Sequence, residues 1–377
     1  MNITYISDYD ASDVNNWSGL GHFISKALSN QEAKLDFINQ HKRNLGFMIN
    51  SRKLIYKVLG KSLDLSREPE VVKKVSAQTS KLIKPNTNVI FSPSSIPVAL
   101  LETTKPKVFY TDATFAGMIG FYEGFSKLDP KAVVKANFLE QQAMDSAQLI
   151  IYSSDWAAQS AIQHYNVNPS KIKIVPFGAN IDSERSWEDV KAITNSKNRT
   201  ECNLLFIGVD WKRKGGDVAI KITELLNNMG LKTRLHLVGN NNIPEQSLPE
   251  YITNHGFISK ASEIGRDKLT ELFINSHFLL LPTKADCTPI VFSEANSFGL
   301  PVISTTVGGI PTIITENVNG KTFSPNSGTQ EWSNYIYSSF NNHTRYNDLC
   351  LSSYGEYQKR LNWKKAGKEI MGYLKLL

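Results

Sequence analysis

Short apolar runs rich in β-branched residues alternate along this chain with longer stretches in which apolar positions recur every three or four residues. That alternation is the pattern of parallel strands covered by crossover helices, so the fold class expected is α/β. In the first half the runs predict strands at 3–7, 33–38, 89–92, 107–111, 149–153 and 173–175, with helices between them, for example at 21–28 and 139–147. After Pro176-Phe177-Gly178-Ala179-Asn180 a polar segment covers 182–199, and then the alternation restarts. The second half predicts strands at 204–208, 234–238, 253–257, 278–281 and 301–304. The expected domains are therefore 1–180 and 181–355, with 356–377 as a Lys-rich amphipathic helix that seals the fold.

A chain of 377 residues is too long for one comfortable core, which supports two domains. In open α/β sheets ligands bind at the carboxyl ends of the strands, so the groove between two such halves is the first place to look for one. A formal charge of +7 favours an anionic partner. It does not by itself choose a nucleotide over a lipid surface or a nucleic acid. No aromatic-basic interleaving, zinc-finger spacing or basic region with heptads is present, and nucleic acid is not expected as a partner. Cys202, Cys287 and Cys350 are three in number and lack CxxC spacing, which argues against a disulfide framework and for a reducing, cytoplasmic setting. The amino terminus has no basic region followed by an apolar core.

The most informative stretch runs from Leu279 to Ser304. A buried strand leads into a turn with Asp286, a helix carries Glu294, and Gly299-Leu300-Pro301 closes that helix before the next strand. Amides at 287–291, at the positive end of that helix, suit diphosphate oxygens or sugar hydroxyls, and Glu294 suits both hydroxyls of a ribose. A second stretch, Gly208-Val-Asp-Trp-Lys212-Arg213-Lys214-Gly215-Gly216, follows the first strand of the second half. Lys-Arg-Lys alone would read as a solvated basic turn, but its place after a strand and between glycines favours a functional role.

With seven residues between Asp286 and Glu294, the first stretch resembles the Glu-x7-Glu element of retaining glycosyltransferases of the GT-B fold, family 4, with Asp in place of the first Glu. The second is similar to the Gly-x-x-x-x-Arg-Lys-Gly segment of the same enzymes. The resemblance implies two Rossmann-like domains and transfer of a hexose from a nucleotide-diphosphate sugar to a glycan or lipid-linked acceptor. It also implies roles: Arg213 and Lys214 clamp the diphosphate, Asp286 with Cys287, Thr288, Pro289 and Ile290 holds the donor sugar, and Glu294 binds the ribose. Phe257 and Ile258 lie where the family seats the base, although core packing explains Phe257 equally well. Gly19, in Trp17-Ser18-Gly19-Leu20-Gly21, resembles the loop that nears the donor phosphates; a helix-capping turn with Ser18 as the cap is the alternative. Asp112 resembles a polar group facing the reacting sugar, with a strand-end cap as its alternative. Asp155 and Trp156 read as structural.

Asp8-Tyr9-Asp10 matches a metal-binding Asp-x-Asp only superficially, and the basic clamp makes a divalent ion unnecessary, so neither metal nor cofactor is expected. The stretch 41–61 interleaves Lys and Arg with apolar residues. Such a pattern is more often a domain helix with a solvated rim than a contact with the inner face of a membrane. Two other readings stay open at this level: an epimerase or phosphorylase on the same fold, and a non-catalytic subunit that binds a nucleotide sugar.

Overall fold

The computed structural model describes residues 1–40, 65–181, 184–239 and 248–377, and the chain divides into two compact units. The first comprises Met1–Pro176 with Ala366–Leu377, and the second Phe177–Lys365.

Six strands form the sheet of the first unit: β1 (Asn2–Ser7), β2 (Lys34–Asn39), β3 (Val89–Ser92), β4 (Lys107–Thr111), β5 (Leu149–Tyr152) and β6 (Ile172–Ile174). Their order is β2-β1-β3-β4-β5-β6, and every neighbouring pair is parallel. The second unit contains β7 (Cys202–Ile207), β8 (Thr233–Val238), β9 (Ile252–Asn254), β10 (Phe278–Leu281), β11 (Val302–Thr305) and β12 (Gly320–Phe323), in the order β12-β11-β10-β7-β8-β9, again all parallel. Helices on both faces explain why the central strands are buried along their whole length, as in β4 and β10, and why the sequence shows continuous apolar runs there. Ten of the eleven strands expected from periodicity occur within two residues of their expected ends. The exception is β9, which stops at Asn254, so His255, Gly256 and Phe257 belong to the loop beyond it.

Three features departed from expectation. The strand β12 was not foreseen, because Gly-Lys-Thr-Phe is short, half polar, and buried fully only at its two ends. The polar segment 182–199 contains a helix, Trp187–Ser196, opened by a capping box in which the Ser186 hydroxyl accepts from Asp189 N–H while the Asp189 carboxylate accepts from Ser186 N–H. The terminal segment is not one element. Helix His343–Arg360 packs into the second unit through Tyr346, Tyr354 and Tyr357, and the Asn362 amide, donating to the carbonyls of Tyr357 and Gln358, ends it. A new helix, Trp363–Leu374, then starts, with Asn362 Oδ1 accepting from Lys365 N–H, and from Ala366 onward it belongs to the first unit. There Gly367 lies so close to Ala27 that a Cβ would sit 2.6 Å from its carbonyl oxygen.

In each sheet the chain reverses its direction of travel once, after β2 in the first and after β9 in the second, so a crevice opens at the carboxyl ends between β1 and β3 and between β7 and β10. In the second unit the crevice lies between the loops after β7 and β10. Gly215 holds it together: its φ is +80°, and a Cβ would meet the Pro282 carbonyl oxygen at 2.1 Å. Gly215→Ala should lower the unfolding free energy by about 1–3 kcal/mol, read as a fall in Tm of several degrees. An unchanged Tm would show that the two loops are free to separate.

His277, fully buried at the start of β10, is fixed as a neutral imidazole: Nδ1 accepts from the Asn203 amide at 2.9 Å and Nε2 lies 2.7 Å from the Asn198 carbonyl. Burial first, and then the nearby charges of Lys197 and Arg199, push its pKa down to about 3. The unfolded chain takes up this proton near pH 6.5 while the folded chain refuses it, so the stability is complete above pH 6.5 and drains away as pH falls toward 3, by about 1.4 kcal/mol per pH unit. Denaturant titrations between pH 7 and 4 should show a shallower acid limb in His277→Gln, which keeps one acceptor and one donor, than in the wild type.

Candidate functional site

The loop after β7 begins at Gly208 and winds into a four-residue helix, Trp211–Lys214. The Asp210 side chain caps it, accepting from Arg213 N–H at 3.1 Å, and the same carboxylate accepts from Arg213 Nε at 3.1 Å. From that turn both cations point at the loop after β10. Arg213 Nη1 donates to the Ala285 carbonyl at 2.8 Å and lies 3.8 Å from Asp286 Oδ2, while Lys214 Nζ forms an ion pair with the same carboxylate oxygen. The backbones are joined as well, since Lys284 N–H donates to the Arg213 carbonyl at 2.8 Å and the Thr283 hydroxyl donates to it at 3.1 Å. A third loop, after β11, adds Gly309 N–H on the Asp286 carbonyl at 3.3 Å and the Thr305 hydroxyl on the Thr283 carbonyl at 2.6 Å. The two motifs separated by about seventy residues in sequence are therefore one structure, a cationic pair set on a nearly buried aspartate.

Cys287, Thr288, Pro289 and Ile290 continue from Asp286, all buried or nearly so. The helix that follows is shorter than the sequence suggested, Ile290–Asn296, and no side chain caps its amino end, where Pro289 is the flanking residue. Gly299, at φ +65°, turns the chain back toward β11, and a Cβ there would lie 2.6 Å from Val190 Cγ1. Cys287 is a buried free thiol, as are Cys202 and Cys350. Glu294 sits on this helix with 1% of its surface exposed. Its Oε1 is paired with Lys260 Nζ, and its Oε2 is buried without a hydrogen-bond partner among the described residues.

Lys260 went unnoticed in the sequence, where a single lysine after Phe257-Ile258-Ser259 has no periodicity or motif to mark it. It lies in the loop after β9, with Phe257 and Ile258. Phe257 is 58% exposed, which removes core packing as its explanation, whereas Ile258 packs against the core of the second unit.

In the first unit Gly19 is itself the residue before helix Leu20–Ser29, with φ +82°, and that helix has no side-chain cap, so Ser18 does not act as one. Trp17 and Ser18 share the left-handed conformation at φ 45° and 55°, an outlier for an aromatic residue. Asp112 follows β4 at the same sheet edge. The link between them is Tyr9, whose ring meets Trp17 edge-on at 6.3 Å and whose phenol is held protonated by burial and by the charges of Asp8 and Asp112. Asp155 is the first residue of helix Asp155–His164, which Ser154 caps, and Trp156 packs on Phe121 at 4.8 Å. The basic stretch 41–61 lies outside the described residues, and among the described residues no helix is long and apolar enough to cross a membrane. A depression of about 440 Å³ lined by Asn317, Tyr335, Arg345 and Asp348 contains none of these residues.

Residues 201–342 match the family model of the glycosyl transferases group 1. A Klebsiella pneumoniae relative, an uncharacterized 41.2 kDa protein in the cps region, is 23% identical over 59% of this chain and 58% of its own length. A D-inositol 3-phosphate glycosyltransferase of Corynebacterium aurimucosum is 24% identical over 52% of this chain and 49% of its own. The chain thus spans about half the length of the curated relatives it matches. Among solved structures, Anabaena HepE in complex with UDP and glucose superposes with a TM-score of 0.66 at 16% identity, over 100% of both chains. Sucrose-phosphate synthase of Thermosynechococcus elongatus superposes with a TM-score of 0.72 at 14% identity, over 100% of this chain and 98% of the other. By its two parallel sheets and its likeness to these structures the chain has the GT-B fold, and within its second unit residues 201–342 are similar to the group 1 glycosyl transferases.

Proposed function

We propose that the chain transfers a hexose from a nucleotide-diphosphate sugar to a hydroxyl of a glycan or glycolipid acceptor, with the donor held by the second unit and the acceptor by the first. The observation that carries this reading is the convergence of Arg213 and Lys214 on Asp286 at the switch point of the second sheet. Within the chain the cations neutralise the acid. A diphosphate offers them a stronger partner, so donor binding exchanges partners: Arg213 and Lys214 turn to the phosphate oxygens, and Asp286 is released to accept sugar hydroxyls. As the bond from the sugar's anomeric carbon to the diphosphate breaks, the electron pair leaves with the phosphate oxygen, and two fixed cations in a site of low dielectric stabilise it. The backbone amides beyond Asp286, at Cys287, Thr288 and Ile290, add donors on the same side. Glu294 takes the ribose hydroxyls, and the exposed Phe257, with Ile258, offers an apolar surface to the base.

The first unit contributes Gly19 and Asp112, which share a sheet edge with Tyr9 and suit contact with hydroxyl-bearing ligands. Retention of configuration follows if the departing phosphate itself accepts the acceptor's proton on the face it leaves, so that no side chain need act as general base. The HepE complexes, which contain UDP and UDP-glucose, favour a uridine nucleotide as the first donor to try. A place in surface-polysaccharide assembly, at the cytoplasmic face of a membrane, fits a lipid-linked acceptor and the Klebsiella relative's cps region.

Nucleoside diphosphates at about a hundred times Kd should raise the unfolding free energy by about 2.7 kcal/mol in a thermal-shift screen, and Lys214→Met should abolish most of that gain. Arg213→Ala should cost about 100-fold or more in kcat with the fold intact. If no nucleotide shifts the melting curve of the wild type, the transferase reading fails. Proton NMR of the first product formed from an α-linked donor should show an α linkage, and a β linkage would exclude retention.

A further inference from the structure

Glu294 presents a problem that its surroundings solve only in part. Its carboxylate is buried to 1% exposure at the carboxyl edge of the sheet, where an isolated charge is costly and buried acceptors are normally satisfied. One oxygen has Lys260 Nζ as its counter-ion; the other has no donor among the described residues.

The backbone that delivers Lys260 is fixed. Arg266 Nη1 donates to the carbonyls of Lys260 at 3.0 Å and Ala261 at 3.3 Å. The Ser262 hydroxyl caps helix Glu263–Asn275 by accepting from Gly265 N–H at 3.2 Å, and a Cβ on Gly265 would sit 2.0 Å from the Ser259 carbonyl oxygen. Only the aliphatic stem of Lys260 is left to move, and its side chain is 44% exposed, reaching from solvent onto a buried acid. A carboxylate held by one oxygen is restricted in rotation about its terminal bond, so the second oxygen faces a defined direction.

We infer that Lys260 is a positioning residue for nucleotide recognition: by holding Oε1 of Glu294 it presents the unpartnered Oε2 to a ligand hydroxyl, and so sets the preference of the second unit for ribose over 2′-deoxyribose. This rests on the reading that the second unit binds a nucleoside diphosphate. Ammonium and hydroxyl then occupy opposite oxygens of one carboxylate, which explains both why the acid tolerates burial and why half of it is left unsatisfied. Lys260 touches neither the diphosphate clamp of Arg213 and Lys214 nor Asp286, so its loss leaves phosphate binding in place.

The test is calorimetric titration of wild type, Lys260→Met and Lys260→Arg with whichever of UDP, GDP and ADP binds tightest and with its 2′-deoxy counterpart. The wild type should prefer the ribonucleotide by about tenfold, the value of one hydrogen bond to a charged group. In Lys260→Met that ratio should fall to about one while the 2′-deoxy nucleotide keeps its wild-type affinity within about twofold, and Lys260→Arg should restore the preference. Lys260→Ala, which likewise removes the donor to Oε1, gives the same comparison should the methionine variant not fold. A ribose preference unchanged in Lys260→Met or Lys260→Ala overturns the inference alone, whereas a wild type that binds none of the three nucleotides overturns the reading beneath it.

Discussion

The second unit is organised around one close approach, the backbone of Gly215 against the carbonyl of Pro282. Only a residue without a side chain fits there, and only a left-handed φ continues the chain from the short helix before it into the helix after it. Because those two loops touch, the side chains just before Gly215 have nowhere to go but across the loop after β10. Arg213 and Lys214 thus reach Ala285 and Asp286 as a consequence of backbone packing, and the hydrogen bond from Lys284 N–H to the Arg213 carbonyl fixes their height above the sheet.

That arrangement holds two cations together in a stable way. Facing each other's field in a site of low exposure they would repel and destabilise the loop; the aspartate they share removes that cost. The same device recurs at Glu294, where the counter-ion comes from a different loop and covers only one oxygen. One acid before this short helix and one on it are each matched to a cation from a separate strand end, so the seven-residue spacing between them has a physical meaning beyond a motif: it lets each acid meet its own cation. The first unit contributes a different chemistry, built on aromatic rings and carboxylates around Tyr9, with backbone strain at Trp17 and Ser18 that the surrounding packing must sustain.

Much of this was readable in the order of residues. Strand positions follow from burial on both faces, which forces continuous apolar runs, and Gly215, Gly299 and Pro301 mark turns through their backbone restrictions alone. The acids Asp286 and Glu294 and the cations Arg213 and Lys214 were identifiable because each lies next to such a run and a glycine. What local pattern misjudged was everything decided by neighbours distant in sequence. The helix Trp187–Ser196 was hidden by its polarity although Ser186 and Asp189 formed a capping signature, and the terminal helices were merged because nothing in 354–377 announces that Asn362 will break them. Phe257 could be assigned to a core or to a surface with equal ease until burial was known.

The sequence by itself determined the alternation of strand and helix and the residue types that gather at the strand ends, because hydrophobic periodicity and glycine's freedom act over short stretches of chain. Which cation meets which acid was decided only by tertiary structure. Strand order puts β7 beside β10 and carries the loop after β9 to the same edge, so Lys214 finds Asp286 and Lys260 finds Glu294. An ion pair depends on distances of a few ångströms between side chains dozens of residues apart, and no local pattern encodes those distances.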